Sequence, residues 1–258
     1  MNSLILICVI AFLASGLTLF SGFGLGTILL PVFGIFFPLE VAVAMTAIVH
    51  FLNNIFKLSF FAKYAKWDIV LRFGITSFMF AFLGAYCLEW LGSSNPIGSF
   101  KLAALSLNFY PIKIVIGVLI IAFALIELLP QLSKLNFDKK YLPFGGALSG
   151  FFGGLSGHQG ALRSMFLLRI GLSKEQLLGT GVIIACMVDV SRLAVYSNHI
   201  NLLKNSSDLT LSIAAALSAF AGVFVGNKLL KKITINLLQN IIAIMLIAYS
   251  VLLIGGVI

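Results

Sequence analysis

Apolar residues run along this chain in long blocks separated by short polar or basic turns, with little of the alternation that marks a half-solvated strand. A bilayer is crossed by about 20 apolar helical residues, so each block is a candidate spanning helix. Three blocks in the first half, at about 40–62, 69–91 and 111–130, predict conventional spans, and three in the second half do the same at about 174–197, 208–230 and 236–256. Each trio follows a run with a glycine-rich interruption. Residues 3–37 are broken at Ser21-Gly22-Phe23-Gly24-Leu25-Gly26, and residues 142–172 at Gly153-Gly154-Leu155-Ser156-Gly157-His158-Gln159-Gly160. Glycine costs about 1 kcal/mol relative to alanine inside a helix. Each run therefore predicts two half-helices joined at a glycine-rich tip. At about 15 residues and about 22 Å, such halves are too short to cross comfortably, which favours a re-entrant hairpin over two full crossings.

The halves resemble each other. A shift of 134 residues sets Gly26 on Gly160 and Thr46 on Thr180; a little later Ala81-Phe82-Leu83-Gly84 meets Ala219-Phe220-Ala221-Gly222. Few residues are identical, but the order of segments is the same, which predicts a first repeat at 1–133 and a second at 134–258. Charge sets their orientation. If all eight apolar runs crossed once, seven basic residues would lie on each side. If each broken run enters and leaves on one side, then Lys63, Lys66, Arg72, Lys134, Lys139, Lys140, Arg169, Lys174, Lys228, Lys231 and Lys232 share the cytoplasmic face, and only Lys101, Lys113 and Lys204 face out. Eleven against three satisfies the positive-inside tendency. The expectation is an all-α polytopic membrane protein of two inverted repeats, each a broken hairpin followed by three spans, with both termini outside.

Composition closes off other classes. Of 258 residues, 60% are hydrophobic and only 10% charged, too few polar groups for a water-soluble surface. The net charge of +9 comes from basic residues scattered between apolar runs, so it reports orientation and not nucleic-acid binding. Cys8, Cys87 and Cys186 lie in apolar segments without C-x-x-C spacing, and no disulfide framework, metal site or cofactor is expected. The N-terminal apolar run lacks a basic leader and exceeds signal-peptide length, so it reads as part of the fold.

Two hairpins entering from opposite faces bring their tips together near the midplane. The second half-helix of each, at about 24–37 and 160–172, starts there and presents unpaired N–H groups and a positive dipole end. With Arg163 one turn in, the tips suit an anion. Gly22, Gly24 and Gly26, with Gly157, His158, Gln159, Gly160 and Arg163, are the candidate substrate ligands. The alternative is that the glycines only allow tight helix packing. His50, Asn53, Asn54 and Lys57 recur on one face of the second segment and are candidates to line a pathway, although lysine can snorkel and asparagine can join helices. Asp189 and Arg192, three apart, read as a buried ion pair or a coupling site. Glu40, Glu89, Glu127 and Glu175 fall near span ends and read as solvated.

The segments SGFGLGTILLPVFGIFFPLEVAVAMTA at 21–47, KYAKWDIVLRFG at 63–74 and GALSGFFGGLSGHQGALRSMFLLRIGL at 146–172 carry a further signal. With Pro31, Trp67-Asp68 and the glycine clusters, the chain resembles the sulfite exporter TauE/SafE family of permeases over nearly its whole length. It departs where the family often has consecutive glycines, since Gly22, Gly24 and Gly26 are spaced, and in His158-Gln159-Gly160-Ala161-Leu162-Arg163. The resemblance implies proton-coupled transport of a small sulfur-containing anion, such as sulfite or an organosulfonate; a bacterial inner membrane and a homodimer are further expectations. An anion channel on the same scaffold is the alternative. A third reading, an intramembrane serine protease, hangs on Gly154-Leu155-Ser156-Gly157. It lacks a placed base: His199 is expected at the outer surface, and His158 adjoins the serine in sequence.

Overall fold

The computed structural model describes residues 2–21, 24–102, 105–128, 138–168, 170–197, 206–229 and 235–258. Helices α1 (Asn2–Ser21) and α2 (Leu25–Phe36) form the first broken run, followed by α3 (Leu39–Phe61), α4 (Trp67–Gly92) and α5 (Pro111–Leu128). The second half repeats the order with α6 (Leu142–Ser156), α7 (Gln159–Leu167), α8 (Lys174–Val195), α9 (Ser206–Leu229) and α10 (Ile235–Ile254). The protein is an all-α polytopic membrane protein. Among the described residues, four helices are long and apolar enough to cross a bilayer, at Leu39–Tyr64, Trp67–Gly92, Lys174–Val195 and Leu209–Gly226. Leucines, isoleucines, phenylalanines and tryptophans such as Trp90, Ile97 and Ile244 point outward, as a lipid-facing surface requires.

Three details differ from the sequence expectation. Helix α1 has 20 residues, about 30 Å, so the arms of the first hairpin are unequal, 20 residues against 12. The second break is narrower than expected: α6 runs through Gly153 and Gly154 and ends only at Gly157, which has φ +80. Those two glycines belong to a helix interface. A Cβ on Gly146, Gly150 or Gly154 would overlap the backbone of Phe73, Ser77 or Ala81, so one face of α6, glycine every fourth residue, lies directly against α4. Finally, an antiparallel hairpin, β1 (Gly98–Leu102) and β2 (Leu105–Phe109), caps the end between α4 and α5, pairing Gly98 with Phe109 and Phe100 with Leu107. Its period-two pattern was present in the sequence, but the two strands are too short to stand out beside the spans.

The packing pattern is preserved when the halves are exchanged. Helix α6 packs along α4 as α1 packs along α9, and α4 meets α8 as α9 meets α3. The corresponding helices α3 and α8 face each other antiparallel: Val43 lies by Arg192, His50 by Asp189, and Lys66 by Thr180. Helices α5 and α10 are also antiparallel, with Gly117 against Ile254 and the Lys113 Nζ donating to Ile258 O at 2.9 Å. One apolar core joins the halves, built from α2 residues such as Leu29 and Phe33, Met45 and Val49 of α3, Ile116 and Ile120 of α5, and Ala215 and Ala219 of α9.

Candidate functional site

The two breaks meet. A Cβ on Gly26, in the first turn of α2, would stand 3.5 Å from the carbonyl oxygen of Gly157, 3.5 Å from Thr46 Cγ2 and 3.6 Å from His50 Cδ2. Gly24 is the extended N-cap of α2, on the same edge of the His50 ring. Gly22 lies outside the described residues. Gly157 takes the left-handed conformation that glycine adopts without strain, and a Cβ there would be 2.9 Å from Arg192 Nη1. Gln159 and Gly160, both buried, open α7 behind the N-cap His158.

Asp189, fully buried on α8, is the centre of the polar cluster. Its Oδ2 receives His50 Nδ1 at 2.7 Å and Asn54 Nδ2 at 3.1 Å; its Oδ1 faces Gln159 Nε2 and Arg192 Nη1, each at 3.5 Å. A carboxylate only accepts, so His50 carries its proton on Nδ1, and the Asn54 amide, 3.1 Å from that same nitrogen, gives its hydrogen to Asp189 instead. Arg192 is inaccessible to solvent yet poorly satisfied. Nη2 reaches Val43 O at 3.5 Å, the pairing with Asp189 lacks hydrogen-bond alignment, and Nε and Nη1 have no hydrogen-bond partner. The guanidinium also lies 6.0 Å from the Tyr196 ring, whose hydroxyl donates to Gly154 O.

Not every candidate joins this cluster. Asn53 turns towards α1, accepting from Ser15 Oγ at 3.0 Å. Arg163 is only partly buried, donates to Gln159 Oε1 at 3.3 Å and lies beside Gly181; it reaches the centre through Gln159. Lys57 is buried one turn beyond Asn54. His158 stacks on Phe123 with ring centroids 5.9 Å apart, leaving Nε2 without a partner. Thr46 was visible only as a repeat identity, yet its buried Oγ1 is also unpartnered beside the junction of the breaks. Ser15 and Tyr196 carried no sequence signal, because single hydroxyls in apolar runs are common.

His158 Nδ1 stands 3.1 Å from Ser156 Oγ, closer than expected. That nitrogen also lies 3.0 Å from the Ser156 carbonyl, which requires an N–H, while Ser156 Oγ donates to Phe152 O at 3.1 Å. The contact thus has no base lone pair turned to the hydroxyl. His199 lies outside the described residues. Among the described residues no three His, Cys, Asp or Glu side chains gather as a metal site would need.

The model of the sulfite exporter TauE/SafE family matches residues 7–253. The chain belongs to that family. Members are membrane transporters, so this TauE/SafE protein is a multi-pass membrane protein of a transport family, in agreement with the resemblance read from residues 21–47, 63–74 and 146–172. Membership also counts against the protease reading. No curated protein and no solved structure matches the chain. Along the 134-residue shift the TauE/SafE halves differ in what they bring to the centre. His50 corresponds to buried Ile184, and Arg163 to buried Leu29, so similar backbones carry dissimilar polar groups.

Proposed function

We propose that this protein is a secondary transporter that moves a small sulfur-containing anion, such as sulfite or an organosulfonate, across a bacterial inner membrane by alternating access coupled to protons. The observation that carries this reading is the meeting of Gly26 and Gly157 at the two breaks, with the buried Arg192 guanidinium set against the second. Helix starts, glycine-lined backbone and an under-satisfied cation together suit an oxyanion. The antiparallel pairing of α3 with α8 and of α5 with α10 supports two repeats of opposite orientation, the arrangement whose rocking exposes a central site to each side in turn. Burial of His50, Gln159, Asp189 and Arg192 favours a carrier, in which the site is closed between openings, over an open anion channel.

The test is the thermal stability of the purified protein with sulfite, sulfate, thiosulfate, sulfoacetate, taurine, acetate and chloride, followed by flux of any stabilising anion into proteoliposomes. A ligand of the folded state raises the midpoint by mass action. A selective shift with sulfite or a sulfonate, and flux that saturates and supports counterflow, is expected. No shift beyond that of chloride would sink the anion site.

A further inference from the structure

The unusual feature of the cluster is that its donors are occupied by the protein's own anion. We infer that the Asp189 carboxylate stands in for the transported anion when the site is empty, and that anion binding takes Arg192 from it while Asp189 takes up one proton. This deepens the transport reading above and rests on it.

Donors from three helices converge on Asp189: His50 and Asn54 from α3, Gln159 from α7 and Arg192 from α8 itself. The two sides of the carboxylate differ. His50 and Asn54 hold Oδ2 at 2.7 and 3.1 Å, whereas Gln159 and Arg192 stand off Oδ1 at 3.5 Å. The loose side faces the second break, since a Cβ on Gly157 would stand 2.9 Å from Arg192 Nη1. Two buried groups around that junction have unspent donor capacity, Arg192 at Nε and Nη1 and Thr46 at Oγ1. The unpartnered His158 Nε2 carries a lone pair, since its ring proton is on Nδ1, and does not serve an anion. Buried polar atoms are ordinarily paired, so a cluster of exceptions at one junction points to a ligand.

Charge decides the rest. An anion entering beside an ionised Asp189 in low-dielectric surroundings would be repelled by it and would have to share Arg192. If Asp189 is protonated as the anion arrives, the buried Asp189–Arg192 ion pair is replaced by an anion–Arg192 pair and the net buried charge is unchanged. Both states are then neutralised, whereas either event alone leaves an uncompensated buried charge. The charged and titratable groups around Asp189 are His50 and Lys57 on α3, Arg163 on α7, and Arg192 and Cys186 on α8; α4 meets this helix through the Phe78 carbonyl, which accepts from Ser191.

His50 supplies the proton route. Its Nδ1 donates to Asp189 Oδ2, and its Nε2 edge lies at the first break beside Gly24. A proton from the open aqueous side bonds to Nε2; the Nδ1–H bond breaks and its proton bonds to Oδ2. The imidazole ends neutral in its other tautomer and Asp189 ends as a neutral acid.

The test measures sulfite binding to purified wild type, Asp189→Asn and Arg192→Gln from mildly acidic to mildly alkaline pH. Because the titration of sulfite itself is common to all three, the ratio of wild-type to Asp189→Asn affinity isolates Asp189. That ratio is expected to fall with rising pH by up to about tenfold per unit, and Arg192→Gln is expected to bind at least about 100-fold more weakly throughout. In proteoliposomes Asp189→Asn is expected to exchange sulfite without responding to a pH gradient. If that variant does not fold, infrared difference spectra of the wild type serve: a protonated-carboxyl band is expected on addition of sulfite, and its absence overturns the proposal. A constant affinity ratio across pH, or wild-type affinity in Arg192→Gln, also overturns it while leaving the transport reading in place. A wild type that binds neither sulfite nor any sulfonate overturns both.

Discussion

Gly84 on α4 lies directly beneath the carbonyl oxygen of Phe151 on α6, and a Cβ there would overlap that oxygen. The same relationship recurs between Gly222 on α9 and the carbonyl of Phe12 on α1. In each half the helix after the first conventional span thus touches an arm of the opposite half's hairpin at a glycine, so the residues identified by the repeat alignment are also the residues of closest approach. Gly84→Ala and Gly222→Ala are each expected to destabilise by about 1–3 kcal/mol or more, because neither backbone can move away without repacking its helix. Gly98→Ala, whose Cβ would meet only Phe109 Cδ2 at 3.9 Å, should stay within about 0.5 kcal/mol. Unfolding in detergent checks all three.

Gly157 and Gly171 form a matched pair for testing the second break. Both have left-handed φ, +80 and +78, so alanine pays a similar conformational cost of about 1–2 kcal/mol at either. Only at 157 would the new methyl also press on the Arg192 guanidinium; nothing lies within 4 Å at 171. Gly157→Ala should therefore lose the stabilisation given by sulfite or a sulfonate, whereas Gly171→Ala should keep it. Equal responses of the two variants would separate Arg192 from the anion site.

The buried Asp189–Arg192 pair and the partly exposed Arg163 should differ in what they contribute to stability. Asp189→Ala leaves Arg192 buried without its counter-charge and is expected to cost about 3–5 kcal/mol of stability. Arg163→Ala removes a partly exposed side chain tied to Gln159 at 3.3 Å, and about 1 kcal/mol is expected. Chemical unfolding in micelles gives both values.

Helix α8 begins in a capping box: Ser173 Oγ accepts from Gln176 N at 3.3 Å and Gln176 Oε1 from Ser173 N at 3.2 Å. Ser173→Ala should cost about 1 kcal/mol without altering anion selectivity, because the cap lies at the far end of the helix from Asp189.

Orientation is tested by labelling. In a background without Cys8, Cys87 and Cys186, Lys140→Cys is expected to react only with reagent supplied from the cytoplasm, and Ser99→Cys, in the β-hairpin, only from outside. Lys174→Cys, beyond the second broken run, is expected to react from the same side as Lys140→Cys, and labelling of those two from opposite sides would contradict the inverted arrangement.

Much of the architecture was legible in residue order. The spans expected at 40–62, 69–91 and 174–197 appear as Leu39–Phe61, Trp67–Gly92 and Lys174–Val195, because a bilayer admits few alternatives to an apolar helix of that length. The glycines were less decisive. Residues Gly153 to Gly160 carry one composition but two roles, packing at Gly154 and breaking at Gly157, and only the neighbouring backbone of α4 separates them. The candidate site was legible only as a set of polar residues within apolar segments, which burial makes costly without partners. Their pairing was not. The sequence by itself determined that this chain lives in a bilayer, breaks twice and holds histidine, aspartate and arginine among apolar helices, because hydropathy and glycine content act locally. Only the tertiary structure decided that Asp189 meets His50 across 139 positions and that Arg192, and not Arg163, faces the second break, because those contacts depend on how α3, α7 and α8 cross.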